Sequence, residues 1–451
     1  LCKIMSIFWM HFYRNFYCLG IESGKIMDVN ENDILAWLEN RRQEVSVSIK
    51  QVPFRDLKGW CFDSATGNLV HQSGRFFSIV GLDVYKNNGS AVRWMQPIIN
   101  QPEVGLLGIL CREFRGEKQY LMQTKIEPGN VNVVQLSPTV QATRSNFTRV
   151  HGGKLPAYLE FFQNPSSDQI VVDQLQSEQG ARFLRKRNRN IIVRVDEDIP
   201  VYPDFRWMTL SQIKRLMRLN NTVNMDARTV LSGLRTDPPV DTYALLSIDE
   251  ILHRFSMLKS KYELLVEKIG LRDVRDWKVT ETEISRLDKL FFRIIGVQVV
   301  IANREVSNWC QPIVQPMHEG ICVLLRKRIN GVLHYLLQAK VECGNFDVVE
   351  LAPTIQCLTG PYRTPIGYTP KYLNEFLRGD LKGHAVLDVW QSEEGGRFYH
   401  EQNRNVVYEL EEDVHLPDEE CYIWMTMNQM REFLRFNNYL NVQVRSLIAM
   451  L

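Results

Sequence analysis

Two short stretches in different halves of the chain read almost alike. Residues 123–130 are QTKIEPGN, and residues 338–345 are QAKVECGN. Lys125 and Lys340 hold the same place in these stretches, 215 positions apart (340 − 125). Further blocks align at the same separation: QLSPTVQ (135–141) with ELAPTIQ (350–356), WMQP (94–97) with WCQP (309–312), and RNRN (187–190) with QNRN (402–405). A register kept over so many blocks predicts a tandem duplication of a unit of about 180 residues, which means two globular repeats and not a solenoid.

The duplication suggests a domain plan. Residues 1–26 contain the apolar run IMSIFWMHFY, which is too short to span a bilayer. We expect them to be an upstream extension outside the fold, with Met27 as the start. The first repeat, with an N-terminal helix, is predicted over residues 27–235 and the second over 273–451. Residues 236–272 are predicted to be a linker and a connecting helix over 247–271, which is either a packed connector or part of a subunit interface.

Composition and motifs exclude several classes of function. The 54 Lys and Arg residues nearly balance the 52 Asp and Glu residues, so the net charge of +2 gives no field that favours nucleic acid or a membrane surface. The nine cysteines are scattered and form no C-x-x-C pair, which argues against a zinc site or a disulfide framework and indicates a reducing compartment. The sequence has no dinucleotide-binding, P-loop or zinc-hydrolase motif. We therefore expect neither a cofactor nor a metal.

Each repeat is predicted to mix strands and helices. Strands are expected at 76–84 and 291–300, which are rich in β-branched and aromatic residues. In QYLMQTKIE (119–127), polar and apolar residues alternate, so that Gln123, Lys125 and Glu127 share one face of a strand. That face is either solvated or lines a cleft. Capping boxes predict three helix starts: Thr209 with Gln212, Ser247 with Glu250, and Thr426 with Gln429.

Three polar blocks of the first repeat contain candidate binding groups. Residues 135–153 are predicted to be a loop lined with donors, in which His151 is either catalytic or structural. Residues 176–190 carry five basic side chains that form either a solvated face or a diphosphate clamp, since guanidinium groups match phosphate oxygens. In residues 223–233, Asp226 and Arg228 either form a structural ion pair or line the site.

The two repeats have diverged at some of these positions. Arg144 and Arg149 align with threonines in the second repeat, and His151 has no counterpart there. This loss indicates one reactive repeat and one that binds or serves as a scaffold. Trp94 and Trp309 are either core residues or platforms on which a base stacks.

Several long motifs resemble the NDP-hexose 2,3-dehydratase family of deoxysugar biosynthesis. They are LSPTVQATRSNFTRVHGG (136–153), LQSEQGARF (175–183), VNMDARTVL (223–231), ELAPTIQC (350–357) and QSEEGGRFYH (391–400). The resemblance covers about residues 30–451. It implies an α+β fold, a tandem duplication of a Nudix-like mixed-sheet α/β/α unit, although no Nudix box is present. It also implies a cytoplasmic homodimer that removes water across C2 and C3 of dTDP-4-keto-6-deoxyglucose, whose unstable product a 3-ketoreductase captures.

The chemistry of this elimination suggests roles for the polar residues. A base must take the C3 proton, and donors must stabilise the enolate at the C4 oxygen. We assign the base to His151 or Glu127 and the donor to Lys125 or Arg144. Arg149, Arg182, Arg187 and Arg189 are expected to hold the diphosphate, and Trp94 to stack on thymine. The remaining expected substrate contacts are Gln123, Gln141, Asn146, Gln176, Glu178 and Asn188.

The second repeat keeps enough polar residues to hold a second nucleotide, or it simply repeats an old scaffold. The candidate residues are Trp309, Lys340, Glu342, Gln356, Gln391, Arg397, Asn403 and Arg404. Two other functions are compatible with the sequence. One is a nucleotide-sugar epimerase that uses the same proton abstraction, and the other is a non-catalytic nucleotide-sugar binding protein.

Overall fold

A computed structural model describes residues 31–143, 155–235, 243–301, 308–363 and 369–451. The chain divides into two compact units, Leu1–Glu39 and Asn40–Leu451. The described part of the first unit lies in helix α1 (Glu31–Glu44). The strands and the other helices of the described residues lie in the second unit.

The first repeat is built mainly from strands. They are β1 (Val47–Val52), β2 (Trp60–Phe62), β3 (Leu69–His71), β4 (Ser78–Asn87), β5 (Ala91–Asn100), β6 (Gly105–Phe114), β7 (Glu117–Ile126), β8 (Val134–Ser137), β9 (Val140–Ala142), β10 (Ile170–Ser177), β11 (Arg187–Arg194) and β12 (Phe205–Thr209). Three helices accompany them in the described residues: α2 (Glu160–Gln163), α3 (Leu210–Met217) and α4 (Met225–Leu231).

The second repeat follows the same order after helix α5 (Ile248–Lys261). Its strands are β13 (Glu263–Ile269), β14 (Trp277–Val279), β15 (Glu283–Arg286), β16 (Phe292–Ile301), β17 (Asn308–Pro316), β18 (Gly320–Ile329), β19 (Val332–Lys340), β20 (Glu350–Pro353), β21 (Ile355–Leu358), β22 (Gly383–Ser392), β23 (Gln402–Leu410) and β24 (Tyr422–Thr426). Its helices are α6 (Leu373–Arg378), α7 (Met427–Phe433) and α8 (Val442–Met450), and short 3₁₀ turns occur at Phe54–Asp56, Leu271–Asp273 and Gly360–Arg363. In the part of the chain that the structure describes, no helix is long and apolar enough to cross a membrane.

The mixed α and β composition and the three capping boxes are confirmed. The connecting helix is shorter than predicted, because it ends at Lys261 and the chain continues as β13. The pattern ELLVEKI fits both a helix and a strand, and pairing with β4 favours the strand. The loop predicted at 135–153 is also partly wrong, since β8 and β9 form within it. Leu136 and Val140 supply apolar side chains that these strands bury.

Each repeat contains a seven-stranded mixed sheet. In the first the strand order is β10-β11-β6-β7-β12, with β8 beside β7 and β9 beside β6. In the second the order is β20-β19-β18-β23-β22, with β21 beside β18 and β24 beside β19. The central pairs β6–β11 and β18–β23 are parallel, and the other pairs are antiparallel. The duplication read from the sequence is therefore repeated in the strand pairing.

The repeats exchange strands in two further five-stranded sheets. Strand β1 of the first repeat pairs with β16 of the second, and β13 of the second pairs with β4 of the first. Tryptophan side chains also form hydrogen bonds between the repeats. Trp60 Nε1 donates to the carbonyl of Cys310 at 2.9 Å, and Trp277 Nε1 donates to the carbonyl of Met95 at 3.0 Å. Each repeat thus completes the other, and the two must fold together.

A buried seam lies between equivalent elements of the two repeats. Phe183 and Phe398 meet edge to face, with ring centroids 5.6 Å apart. Helices α4 and α8 also pack together, and each contributes a fully buried arginine, Arg228 and Arg445. These two side chains connect the repeats by hydrogen bonds, since Arg228 Nε donates to Ser446 Oγ at 2.7 Å and Arg445 Nε donates to Thr229 Oγ1 at 2.8 Å.

Candidate active site

A chain of hydrogen bonds joins the end of β7 to β9 and to the start of α4. Lys125 Nζ donates to the carbonyl of Gln141 at 3.1 Å, and Gln141 Nε2 donates to Glu127 Oε1 at 2.7 Å. Asn224, which caps α4 by accepting from the amide of Ala227, donates through Nδ2 to Gln141 Oε1 at 3.0 Å. The predicted polar face of β7 therefore belongs to an ordered network that holds a lysine and a glutamate together.

The second repeat completes this network. Gly129, two residues after Glu127, donates from its amide to the carbonyl of Gly395 at 2.7 Å, so residues 394–400 lie against the end of β7. A Cβ atom added to Gly396 would lie 2.7 Å from Glu394 Oε1 and 3.5 Å from Glu127 Oε1. The two carboxyl groups consequently face the same small space. We call the following residues the first site: Lys125, Glu127, Gln141, Asn224, Asp226 and Glu394.

Asp226 and Glu394 are protonated more readily than ordinary carboxyl groups. Burial is the main cause of the raised pKa of Asp226, and the negative charges of Glu178, Glu394 and Glu127 raise it further. Burial also raises the pKa of Glu394 to about 8, against the opposing effect of Arg397. Asp226 Oδ1 and Glu127 Oε2 are buried without a hydrogen-bond partner in the described part of the chain. Such buried, unpaired carboxyl oxygens are common where an enzyme handles protons.

An equivalent network stands at the end of β19. Lys340 Nζ donates to the carbonyl of Gln356 at 2.7 Å, Gln356 Nε2 to Glu342 Oε1 at 3.2 Å, and Asn441 Nδ2 to Gln356 Oε1 at 2.7 Å. Residues 179–185 of the first repeat lie against it, because the amide of Gly344 donates to the carbonyl of Gly180 at 2.6 Å. We call the following residues the second site: Lys340, Glu342, Gln356, Asn441, Gln443 and Gln179.

Each predicted tryptophan lies near the site of the opposite repeat: Trp309 of the second repeat is near the first site, and Trp94 of the first repeat is near the second site. Trp309 packs in a cluster that includes Ile126 and Tyr399, beside the first site. Trp94 packs in a cluster that includes Leu184 and Cys343, beside the second site. Both indole nitrogens are held in place, since Trp94 Nε1 donates to Gln96 Oε1 at 2.8 Å and Trp309 Nε1 donates to Gln311 Oε1 at 2.9 Å.

The predicted arginines separate into different locations. Arg182 lies over the ring of Phe292 at 4.2 Å, and Arg187 lies over the ring of Phe346 at 4.7 Å, so both contact the second repeat. Arg397 is the counterpart of Arg182 and lies over Phe77 at 4.2 Å. On the sheet surfaces, Arg189 pairs with Asp173 at 2.7 Å and Arg404 pairs with Asp388 at 2.6 Å.

Several predicted contacts are buried in packing. Gln176 donates to the carbonyl of Leu434 at 2.6 Å, and Gln391 donates to that of Met217 at 2.5 Å. Asn188 and Asn403 donate to the buried carboxyl groups of Glu178 and Glu393, respectively. Gln123 lies on β7 two residues before Lys125, and it is paired with Ser137 of β8. Arg144, Asn146, Arg149 and His151 lie outside the described residues.

Sequence reasoning left Asn224 and Glu394 out of the site and left Asp226 undecided. Arg228 donates to Gln391, Ser446 and backbone carbonyls, so Asp226 has no ion pair with it in the described part of the chain. A signal was available in the aligned repeats. Glu394 aligns with Gln179 at 215 positions, and Asp226 aligns with Gln443 at 217. A carboxyl group present in one copy and replaced by an amide in the other marks a difference in chemistry on a shared backbone.

Comparison with known proteins agrees with this duplicated arrangement. The sequence profile of the NDP-hexose 2,3-dehydratase family matches twice, over residues 31–234 and 248–451. The chain belongs to the NDP-hexose 2,3-dehydratase family. A dTDP-4-dehydro-6-deoxy-alpha-D-glucopyranose 2,3-dehydratase of Saccharopolyspora spinosa is 44% identical in an alignment that covers 92% of this chain and 90% of the relative. Proteins of the same name from Amycolatopsis orientalis and Streptomyces violaceoruber are 41% and 42% identical, over 97% and 92% of this chain and 94% and 95% of the relatives.

Proposed function

We propose that the protein removes water across C2 and C3 of dTDP-4-keto-6-deoxyglucose, and that the reaction takes place in the first site. The observation that supports this most directly is the pair of carboxyl groups, Glu127 and Glu394, that both reach the position a Cβ atom of residue 396 would take. Elimination needs one group to take a proton and another to give one. The family and its relatives support the substrate, because three of them carry this activity in their names.

The residues of the first site match the steps of the reaction. The C4 ketone acidifies the C3 proton, so a carboxylate is a sufficient base, and Glu127 has a free buried oxygen for the role. His151 is the other candidate base. Lys125 lies next to Glu127 and is the proposed donor to the C4 oxygen, together with Arg144. Trp309, which packs in the same cluster as Ile126 and Tyr399, is the proposed aromatic wall of the site. Arg149 is the proposed partner of the diphosphate.

Incubation with dTDP-4-keto-6-deoxyglucose tests the function directly. Without added metal or nicotinamide, the purified protein should release dTDP over time, because the unreduced diketo product breaks down. Adding a 3-ketoreductase with NADPH should suppress that release, since the reductase removes the unstable product. If the substrate binds and no dTDP appears, the dehydratase proposal fails. Deuterium uptake at C3 would then indicate an epimerase, and no uptake would indicate a binding protein.

For the second site we propose nucleotide binding without chemistry. Burial, and after it the like charge of Lys340, lowers the pKa of Lys86, so the positive charges of these two side chains interact there. Amides replace the carboxyl groups, while Trp94 and Arg187 stand beside the site. Such a surface favours a diphosphate and a base. Calorimetry with dTDP should give two sites per chain, and one site per chain would contradict this proposal.

We further propose the finer features that the family suggests. They are a Nudix-like architecture for each repeat, a homodimer, a cytoplasmic location and a 3-ketoreductase that consumes the product in secondary metabolism. Strands β1 and β13 each pair on one side only in the described residues, so each offers an edge for assembly. Analytical ultracentrifugation should give about twice the mass of the chain, and a monomer at micromolar concentration would contradict the dimer.

A further inference from the structure

The two sites keep the same backbone contacts and differ in three side chains. Gln311 Nε2 donates to the carbonyl of Gly396 at 2.8 Å, and its counterpart Gln96 Nε2 donates to the carbonyl of Ala181 at 3.1 Å. On this shared framework, Glu394, Gly396 and Asp226 of the first site align with Gln179, Ala181 and Gln443 of the second. The first site therefore has two additional carboxyl groups and lacks one methyl group.

The hydrogen-bond partner of Gln179 in the second site indicates the protonation state of its counterpart Glu394 in the first. Gln179 Nε2 donates to the buried carboxyl group of Glu393. The counterpart of Glu393 is Glu178, whose Oε2 is buried and without a partner in the described residues. An amide can always donate to a carboxylate, whereas a glutamate can donate only when it carries a proton. Glu394 and Glu178 interact as like charges, so the first site favours keeping a proton where the second site has an amide hydrogen.

The glycine at position 396 leaves space for this carboxyl group. In the second site the methyl group of Ala181 occupies the equivalent place. A methyl group on Gly396 would approach Glu394 Oε1 to 2.7 Å, closer than a van der Waals contact allows. Glu127 and Asp226 are more than nine-tenths buried, and each has a side-chain oxygen without a hydrogen-bond partner among the described residues. The charge of Asp226 interacts with those of Glu127 and Glu394. The missing methyl group at position 396 thus leaves room for the carboxyl groups that the first site adds.

We propose that Glu394 is the general acid that protonates the departing C2 hydroxyl group, and that Asp226 and Glu178 keep a proton available to it. This inference rests on the proposed dehydration. It goes further by naming the proton donor and by assigning it to the second repeat, while the base stands on the first. The active site is then shared by both repeats, and neither repeat contains a complete one.

Glu127 takes the C3 proton, and the electrons of the C3–H bond pass through the enolate to form the C2–C3 double bond. The C2–O bond breaks, its electron pair leaves with the hydroxyl group, and the Glu394 proton converts that group to water. The C3 enol then loses its hydroxyl proton and gains one at C2, which gives the diketone. Transfer of one proton from Glu127 to Glu394 restores the starting state.

The Glu394→Gln variant tests this role, and the second site shows that the fold tolerates glutamine there. We expect dTDP release to fall by about 10²- to 10⁴-fold, the usual contribution of a general acid. Exchange of the C3 proton with deuterated water should continue, because the base is intact. Undiminished dTDP release would overturn the proposal, and so would loss of C3 exchange together with elimination. The wild-type protein must release dTDP in the same assay, and its failure to do so would refute the dehydratase function itself.

A matched control and a modified substrate separate chemistry from folding. Glu350 is another buried glutamate with a raised pKa, and its counterpart Gln135 already makes the equivalent bond to a serine. Glu350→Gln should therefore keep wild-type dTDP release. A 2-fluoro substrate loses fluoride, which needs little protonation, so Glu394→Gln should release fluoride within about tenfold of the wild-type rate. A fluoride rate that falls as far as dTDP release would contradict the acid role.

A second variant displaces the carboxyl group without removing it. Gly396→Ala should reproduce the pattern of Glu394→Gln, with slow dTDP release and preserved C3 exchange, because the new methyl group moves Glu394 away. Wild-type dTDP release by Gly396→Ala would show that the position of Glu394 is unimportant and would overturn the proposal.

Discussion

The first and second sites have the same framework and differ in the acidic and basic groups that are added to it. In both, a lysine donates to a backbone carbonyl, a glutamine connects a glutamate to an asparagine, and the asparagine caps a helix. The first site then adds the carboxyl groups of Asp226 and Glu394. The second adds Gln443, Gln179 and the amine of Lys86, whose counterpart in the first repeat is Ile301.

The contrast shows which side chains of a duplicated site can change without loss of the fold. The lysine, glutamine and asparagine side chains bond elements of the fold to one another, and removing one leaves a buried polar group without a partner. Among the described residues, no side-chain hydrogen bond of Glu394 or Asp226 joins elements of the fold in this way. They can be exchanged for amides at little structural cost, so the chemistry changes while the backbone persists.

Removing the base should have the largest effect and separate the two sites most clearly. Glu127→Gln is expected to lower both dTDP release and C3 deuterium exchange by about 10²- to 10⁴-fold, because the carboxyl group that Gln141 holds in place is the proposed base. The equivalent Glu342→Gln change should lower dTDP release by less than about tenfold at saturating substrate. Nuclear magnetic resonance of the C3 position measures exchange, and chromatography measures release. Equal losses in the two variants would mean that both sites do chemistry.

Replacement of the buried arginines, Arg228 and Arg445, should instead have equal effects, because the two repeats use these side chains alike. Burial lowers the pKa of Arg228 and of Arg445 to about 10, yet each makes several hydrogen bonds across the seam. Replacement of either by alanine leaves carbonyl groups unpaired and should reduce the free energy of unfolding by about 3–5 kcal/mol. Urea denaturation measures this loss. A difference greater than about 2 kcal/mol between Arg228→Ala and Arg445→Ala would show that the two repeats do not use these arginines alike.

The repeats, the capping boxes and the polar face of β7 were predictable, because each depends on local spacing. The exchange of β1 and β13 was not, since ELLVEKI fits a helix or a strand and only its partner β4 decides. The same exchange explains why the predicted site residues were grouped by repeat, while the structure groups Trp94 with Lys340 and Glu394 with Glu127. Neighbours that come from the other repeat leave no local signal in the sequence.

The pH dependence of stability should also differ between the sites. The pKa of Glu394 is about 8 in the fold and near 4.5 in the unfolded chain, so the folded state holds the proton more strongly. Its contribution to stability is present below pH 4.5 and is lost as the pH rises through about 8. Glu394→Gln should therefore reduce the fall in Tm between pH 5 and pH 8, on the order of 2 °C. Gln179→Glu should enlarge that fall by placing a carboxyl group opposite Glu393. Calorimetry at the two pH values checks both signs, and parallel curves for the two variants would contradict them.

The smallest expected effect concerns the affinity of the second site for nucleotide. Lys86→Met removes one of two neighbouring amines there and should weaken the weaker of two dTDP binding events by about fivefold, equivalent to ~1 kcal/mol. Isothermal titration measures both events on one sample. Lys118→Met removes an exposed lysine from β7 and controls for the change in net charge. A change confined to the first site would show that Lys86 acts through the fold. In that case the basic character of the second site would have no part in binding, and the two sites would differ only in the presence of acid.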